Sequence, residues 1–296
     1  ATTATGIDIT GGFDATAGST ITTADNLTQL QLVSTDTDAN AGPVLDLFRS
    51  VGSSAADSDQ TGSILFTGRN DAPETITYAR INSFISDASD GTEDGLLHLK
   101  HIVAGTEVAA LRLDADEYSF NDSSLNVDFR VETDSKTHAL FVDAGNNQVL
   151  FNTSAARTTS GVMPSVQIHG TGYNNASLSL IGDMGSSAST SPLLIFAKTR
   201  GSAGASTIVQ SGDRLGALFF NGADGNDIEN AAATIQVLVD GTPGLDDMPG
   251  RIQFHTSGDG TANNTERWRI NNVGVLVSGG NSHAGIGGTP ADANYA

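Results

Sequence analysis

The residues with the clearest chemical potential are acidic, and four of them crowd one short stretch around Gly91. They are Asp87, Asp90, Glu93 and Asp94. Carboxylate oxygens on a loop are the hard ligands that Ca²⁺ prefers. Their spacing differs from that of an EF-hand loop, however, and Asp is also a common turn-forming residue. The sequence therefore leaves two alternatives, a calcium site or a solvated acidic turn, and predicts no other cofactor.

Histidines offer a second possible metal site, since His98 and His101 are close in sequence. Residues three apart on a β-strand point to opposite faces, so these two are not expected to share an ion. His98 alternates with Leu97 and Leu99 and is expected to face solvent. The sequence contains no nucleophile elbow, zinc-protease, Walker or dinucleotide-binding motif, and we therefore expect the chain not to be an enzyme.

The charge balance excludes two classes of partner. The net charge is −20, and only 14 residues are Lys or Arg. Phosphate groups require cationic contacts, so neither nucleic acid nor an anionic membrane is an expected partner. No apolar run is long enough to cross a bilayer as a helix, and membrane insertion is not predicted. The charge is expected to serve solubility and repulsion between particles.

The elements that must position any site are predicted to be short strands. Gly occurs 34 times, and no long stretch carries apolar residues at helical spacing. Instead, short apolar runs alternate with polar residues and are bounded by turn-forming residues. This pattern predicts an all-β protein.

An internal repeat organises these strands, because residues 27–116 and 175–273 share six apolar landmarks in the same order. The matched pairs are 30–33 with 178–181, 43–49 with 192–198, 62–68 with 216–222, 79–81 with 233–235, 95–99 with 250–254, and 111–113 with 268–270. Each landmark is predicted to be a strand. The spacing predicts two tandem antiparallel β-sandwich domains of jelly-roll type. We expect Leu97, Leu99, Leu111 and Leu113 to be buried. Their counterparts in the second repeat, which are also expected to be buried, are Ile252, Phe254, Trp268 and Ile270.

The regions outside the repeats are predicted to be slender β connectors. The resulting order is an N-terminal connector at 1–26, a first sandwich at 27–116, a second connector at 117–174, a second sandwich at 175–273, and a tail at 274–296. The apolar residues of the connectors are too sparse for a core within one chain, so we expect them to meet around the threefold axis of a parallel homotrimer. These residues are Ile7, Ile9, Val127, Phe129, Val131, Leu140, Val142, Val149 and Phe151. The alternative is that they are extra strands of the flanking sandwiches.

Several segments resemble tail-fibre proteins of tailed bacteriophages, particularly marine ones. The stretch N-T-E-R-W-R-I-N-N-V-G at 264–274 is similar to a T-E-R-M-R-I motif of those fibres, with Trp268 where Met is usual. The following G-I-G-G-T-P at 285–290 looks like the second half of the motif, displaced downstream. Segments 35–43, 128–132 and 137–147 are similar to other parts of the same fibres.

The resemblance implies a trimeric, fibrous virion component involved in host attachment. Its expected partners are further copies of itself, other virion proteins and a host-surface glycan or protein receptor. Its expected location is the extracellular virion, after assembly in the host cytoplasm. The alternatives are a capsid decoration or head-fibre protein, a bacterial surface adhesin and a hydrolytic tailspike, although tailspikes have a long parallel β-helix that this sequence does not match.

Overall fold

The computed structural model describes residues 18–39, 42–50, 55–183, 185–186 and 190–279. Fourteen strands and one short 3₁₀ turn, at Tyr173–Asn175, make up the regular structure of these residues. The all-β prediction is therefore confirmed. No helix in these ranges is long and apolar enough to cross a membrane. Ile7 and Ile9, two of the predicted trimer-core residues, lie outside the described residues.

The chain divides into two compact units, Ala1–Ser123 and Ser124–Ala296. The five boundaries predicted from the repeat stay a prediction.

The first unit contains one five-stranded sheet. Its strands are β1 (Gln60–Arg69), β2 (Thr75–Asp87), β3 (Asp94–Val103), β4 (Thr106–Leu113) and β5 (Tyr118–Phe120). Each strand pairs with the next one along the chain, in antiparallel order. The turns are tight and use glycines at positive φ, such as Gly105 at 83°, a conformation that only glycine adopts without steric cost.

The second unit contains two sheets. The first, which we call the connector sheet, comprises β6 (Phe129–Thr133), β7 (Lys136–Asp143), β8 (Gln148–Phe151) and β9 (Val166–Ile168). The second comprises β10 (Arg214–Asn221), β11 (Ala231–Val239), β12 (Gly250–Ser257), β13 (Asn264–Ile270) and β14 (Leu276–Ser278). All neighbours are antiparallel except β8 and β9, which are parallel.

The two five-stranded sheets share one register. A row of cross-strand neighbours runs Ile64, Ile81, Leu99, Leu111 and Phe120 in the first sheet, and Leu218, Ile235, Phe254, Trp268 and Ser278 in the second. Register shifts follow Phe66 and Leu99 in the first sheet and the matched Phe220 and Phe254 in the second. The residues matched by the repeat therefore occupy equivalent positions in equivalent strands.

The sandwich detail of the fold prediction is not confirmed. The strands of each repeat lie in a single open sheet, since short turns make every strand pair with its successor. Four predicted strands, at 30–33, 43–49, 178–181 and 192–198, lie outside any strand and are exposed. The core of the described residues is correspondingly small. Its buried apolar side chains are Val108, Ala109, Phe141, Leu150, Val209 and Val239.

Candidate assembly surfaces

The connector sheet carries apolar side chains along one whole face. Because side chains alternate along a strand, cross-strand neighbours share a face. One row comprises Phe129, Val142, Val149 and Val166, and the next comprises Val131, Leu140, Phe151 and Ile168. We call these eight residues the connector face. Six of the predicted trimer-core residues lie on it: Phe129, Val131, Leu140, Val142, Val149 and Phe151.

The connector face is only partly covered within one chain. Val166 is 59% exposed, Val131 41% and Phe151 36%, while the residues at its centre are half-buried. Val127, which precedes β6, is 44% exposed. A continuous apolar face of this kind marks a place where another surface packs in most soluble proteins.

The opposite face of the connector sheet has a small core of its own. Leu150 is fully buried and Phe141 nearly so, next to the buried amides of Gln148 and Gln167. Gln148 Nε2 donates to the Pro164 carbonyl at 3.1 Å, and the Gln167 side-chain oxygen accepts from the Arg157 amide at 3.1 Å. The prediction that the connector lacks a core within one chain is therefore wrong for this face. The reason is that the segment after β8 folds back over it.

The connector strands pair with one another and with no strand of either repeat. The alternative interpretation, in which the connector pieces extend the flanking sheets, holds within 117–174 only for β5, which pairs with β4 of the first repeat, and not for β6 to β9. Sequence reasoning also missed β9, where Val166 and Ile168 complete the connector face. Their alternation around Gln167 was the available signal, but three residues are too few to predict a strand.

Each five-stranded sheet also has an apolar face that one chain leaves partly open. Leu99 and Ile252 are each 38% exposed, and Phe254 is 37% exposed. Leu97, Leu111, Leu113 and Trp268 are half-buried. The prediction that these residues are buried is wrong for the single chain, because the described residues of each repeat form one sheet and no second sheet covers this face.

The other face of each five-stranded sheet is polar in its central strands, although Leu65 of β1 and Phe219 of β10 also lie on it. In the second repeat, Gln236 Nε2 donates to Gln253 Oε1 at 2.9 Å, and Gln253 Nε2 donates to Glu266 Oε2 at 2.5 Å. Glu266 also forms an ion pair with Arg269. These long side chains cover one another, which explains why Gln253 is more buried than its apolar neighbours.

His98 lies on the polar face of the first repeat, as its alternation with Leu97 and Leu99 predicted. It is half-buried rather than fully exposed, and it packs edge-on against Phe84 with ring centroids 5.9 Å apart. Burial lowers its pKa below the usual value, so the imidazole is neutral at neutral pH. Arg112, its neighbour on β4, pairs with Asp114, which also accepts a 2.9 Å hydrogen bond from the Ser86 hydroxyl.

The four acidic residues proposed for calcium lie in and beside the turn between β2 and β3. The Asp87 carboxylate accepts hydrogen bonds from the Ser89 amide at 2.8 Å and the Thr92 hydroxyl at 3.2 Å, which lower its pKa. Glu93 accepts from the Gly91 amide at 3.1 Å, while Asp90 is exposed and Asp94 pairs with Asp87 across the ladder. In the part of the chain that the structure describes, no three His, Cys, Asp or Glu side chains are grouped to hold a metal. Asp87 and Glu93 thus stabilise the turn, and calcium binding stays a prediction.

Comparison with known proteins gives a structural likeness only. No protein family matches the chain, and no curated protein does. Among solved structures, the chain is similar to the carboxy-terminal domain of the bacteriophage T5 L-shaped tail fibre, with 14% identity and a TM-score of 0.39 over 88% of this chain and 94% of that one. It is also similar to the same domain with its intramolecular chaperone domain, with 14% identity and a TM-score of 0.39 over 85% of this chain and 63% of that one.

Proposed function

We propose that this chain is a structural component of a bacteriophage tail fibre, of the type found in marine phages, and that it acts as a parallel homotrimer. The sequence motifs support the fibre class. Residues 265–270 of the T-E-R-W-R-I motif lie in β13, and the residues that follow form the turn into β14, with Gly274 at a φ of 77°. The proposed role is structural rather than catalytic, and the proposed location is the extracellular virion.

The connector face is the observation that carries the homotrimer. Eight apolar side chains on one side of a four-stranded sheet are only partly covered by their own chain. Three copies around one axis would cover each other's faces, because the same apolar rows come from each copy. Completing the burial of eight half-exposed side chains contributes on the order of 8 kcal/mol per chain, against which the entropy cost of association must be set.

Host attachment is the proposed contribution of the assembled fibre. A trimer presents each surface of the chain three times, so weak contacts with a host-surface glycan or protein reinforce one another without any new contact. The strongly negative chain is suited to a neutral or cationic receptor rather than to phosphate-rich polymers.

Labelling of intact virions with an antibody against this chain tests the proposal. Label on the tail fibres is the expected result, whereas label over the capsid would replace the proposal with a head-fibre or decoration protein. Purified protein should also compete with virions for adsorption to host cells. Release of oligosaccharides from host capsule or lipopolysaccharide would instead indicate a hydrolytic tailspike.

A further inference from the structure

Each five-stranded sheet begins with an edge strand whose central residues are apolar on both faces. Ile64, Leu65 and Phe66 are 41%, 53% and 54% exposed in β1. The matched Leu218, Phe219 and Phe220 are 43%, 45% and 53% exposed in β10. The charged residues of these strands are confined to their ends, Arg69 in β1 and Arg214 in β10, and none lies in 62–68 or 216–222. The Arg214 guanidinium lies over the Phe219 ring, 5.6 Å from its centroid. Exposed edge strands normally carry charges or prolines that prevent pairing with other chains, so these two edges are suited to being covered.

The last strand of each sheet is also apolar and exposed. Tyr118 and Phe120 of β5 are 76% and 60% exposed, and Leu276 and Val277 of β14 are 53% and 38% exposed. β5 and β14 are equivalent in the two repeats, since they pair with the matched strands β4 and β13. Leu276 occupies the position of Tyr118, whereas Val277 lies on the opposite face, across from Arg269. Each repeat therefore has two different apolar edges, one at either side of its sheet.

In both repeats an extended segment packs beside the first strand of the sheet and adds exposed apolar side chains to that edge. Leu47 packs against Gly62, and the Arg49 guanidinium reaches Asp59 at 3.0 Å. In the second repeat the matched Phe196 packs against Gly216, and Lys198 reaches Asp213 at 3.5 Å. These contacts fix the segments beside β1 and β10, while neighbouring side chains such as Phe48 (80% exposed) and Ile195 (74%) stay open.

We propose that the two edges of each sheet bind one another between copies of this chain, so that the repeats form a second set of contacts in the trimer. The leading patch comprises Phe48, Ile64, Leu65 and Phe66 in the first repeat and Ile195, Leu218, Phe219 and Phe220 in the second. The trailing patch comprises Tyr118 and Phe120 in the first repeat and Leu276 and Val277 in the second. The leading patch of one copy lies against the trailing patch of the next. This inference rests on the proposed homotrimer.

Symmetry favours a second copy as the occupant of these patches. A cyclic trimer closes only through two different surfaces on each copy, and each sheet supplies two different apolar edges. The pair of edges also occurs twice along the chain. In a parallel copy the two repeats are the same distance apart as in its neighbour. Both repeats of one copy can therefore contact the matching repeats of the next copy at once.

The size of the patches is also suited to a stable contact. Complete burial of both patches in both repeats would remove on the order of 1,000 Å² at each boundary between copies, which is near the lower limit for specific protein interfaces. The connector face adds to this area. The patches are uncharged, so their contact does not require burial of any of the acidic side chains that repel the copies elsewhere.

Cross-linking of cysteines placed in the two patches tests the inference, because the natural sequence has no cysteine. Ile64→Cys and Tyr118→Cys are combined in one chain, which leaves Phe48, Leu65, Phe66 and Phe120 of the two patches in place. Within a chain these positions lie at opposite edges of a five-stranded sheet, separated by four strand spacings, or about 19 Å. A bifunctional thiol reagent that spans less than half of this distance can join them only between copies. Leu218→Cys with Leu276→Cys provides the same test in the second repeat.

The expected result is covalent dimers and trimers on a denaturing gel from both double variants. The control pair Ile64→Cys with Asp90→Cys, whose second cysteine lies in the β2–β3 turn outside both patches, should stay monomeric on that gel. Sedimentation of each variant before cross-linking confirms that it has assembled. If both patch pairs also run as monomers while the native protein sediments as a trimer, the inference is wrong and the proposed function stands. If the native protein is a monomer, both fail.

Discussion

Leu47 lies against Gly62 in the first repeat as Phe196 lies against Gly216 in the second. A Cβ atom on Gly62 would lie 2.9 Å from the Leu47 Cβ, and one on Gly216 would lie 2.7 Å from the Phe196 Cβ. Both distances are below the van der Waals limit, and the crowded atoms are next to the backbone rather than at flexible side-chain ends. The glycines therefore permit each extended segment to dock on its edge strand.

Gly216→Ala is expected to displace the segment around Phe196 and to lower the free energy of unfolding by about 1–3 kcal/mol, the usual cost of overpacking. Limited proteolysis should cleave residues 190–200 faster in this variant than in the wild type. Gly222→Ala is the control, since nothing lies within 4 Å of a Cβ at that position. Equal cleavage rates in all three proteins would show that the segment is not held at Gly216.

Asp213 is expected to make the docking of the second segment dependent on pH. Its carboxylate accepts hydrogen bonds from Arg200 Nε at 2.6 Å and from the Gln210 amide at 2.9 Å, and these bonds hold its pKa far below the usual value. A lowered pKa contributes stability above the unfolded-state value of about 3.9, and the contribution is lost as the pH falls towards the lowered folded-state value.

Thermal unfolding of Asp213→Asn at a series of pH values measures this contribution. The variant should unfold at a lower temperature than the wild type at neutral pH, and the difference should shrink below about pH 4. Asp259→Asn, at an exposed turn, should show no such trend. A difference that stays constant down to the lowest pH would contradict the assignment to the Asp213 carboxylate.

Trp268 is expected to stabilise the second repeat from the apolar face of its sheet. It is half-buried next to Phe254, its cross-strand neighbour. Trp268→Ala should lower the free energy of unfolding by about 2 kcal/mol, less than the 3–5 kcal/mol of a fully buried aromatic residue. Denaturant unfolding followed by circular dichroism measures the change, and Trp268→Phe should recover most of it. An unchanged midpoint in Trp268→Ala would place the indole outside the packed face.

The sequence predicted the strands of the repeat well, because four of its six landmarks are short apolar segments bounded by tight turns. Each of these strands finds its partner within a few residues, so local pattern and final pairing agree. The landmarks at 43–49 and 192–198 have equally apolar patterns but no strand partner in their own chain. A strand pattern indicates that a segment can pair, and it does not identify the partner.

The faces of the sheets were harder to predict than the strands. Apolar alternation places Leu97 and Leu99 on one face correctly, but burial depends on what covers that face. In one chain Asn82 and Gln253 of the polar faces are more buried than Leu99 and Phe254 of the apolar faces. Gln253 is covered by the side chains of Gln236 and Glu266, to which it hydrogen-bonds, whereas the buried Asn82 Oδ1 has no hydrogen-bond partner among the described residues. The small core around Leu150 was missed for a similar reason, since it requires the irregular segment after β8, which has no periodic signal.

The oligomeric state of the purified chain is the most direct test of the central claim. We expect the wild type to sediment as a trimer at micromolar concentration and Phe129→Asp to sediment as a smaller species, because that change sets charges against the connector face near the threefold axis. Asn147→Asp, which adds the same charge at the exposed β7–β8 turn, should remain trimeric. A monomeric wild-type protein, or a Phe129→Asp variant that is still trimeric, would contradict assembly through the connector face.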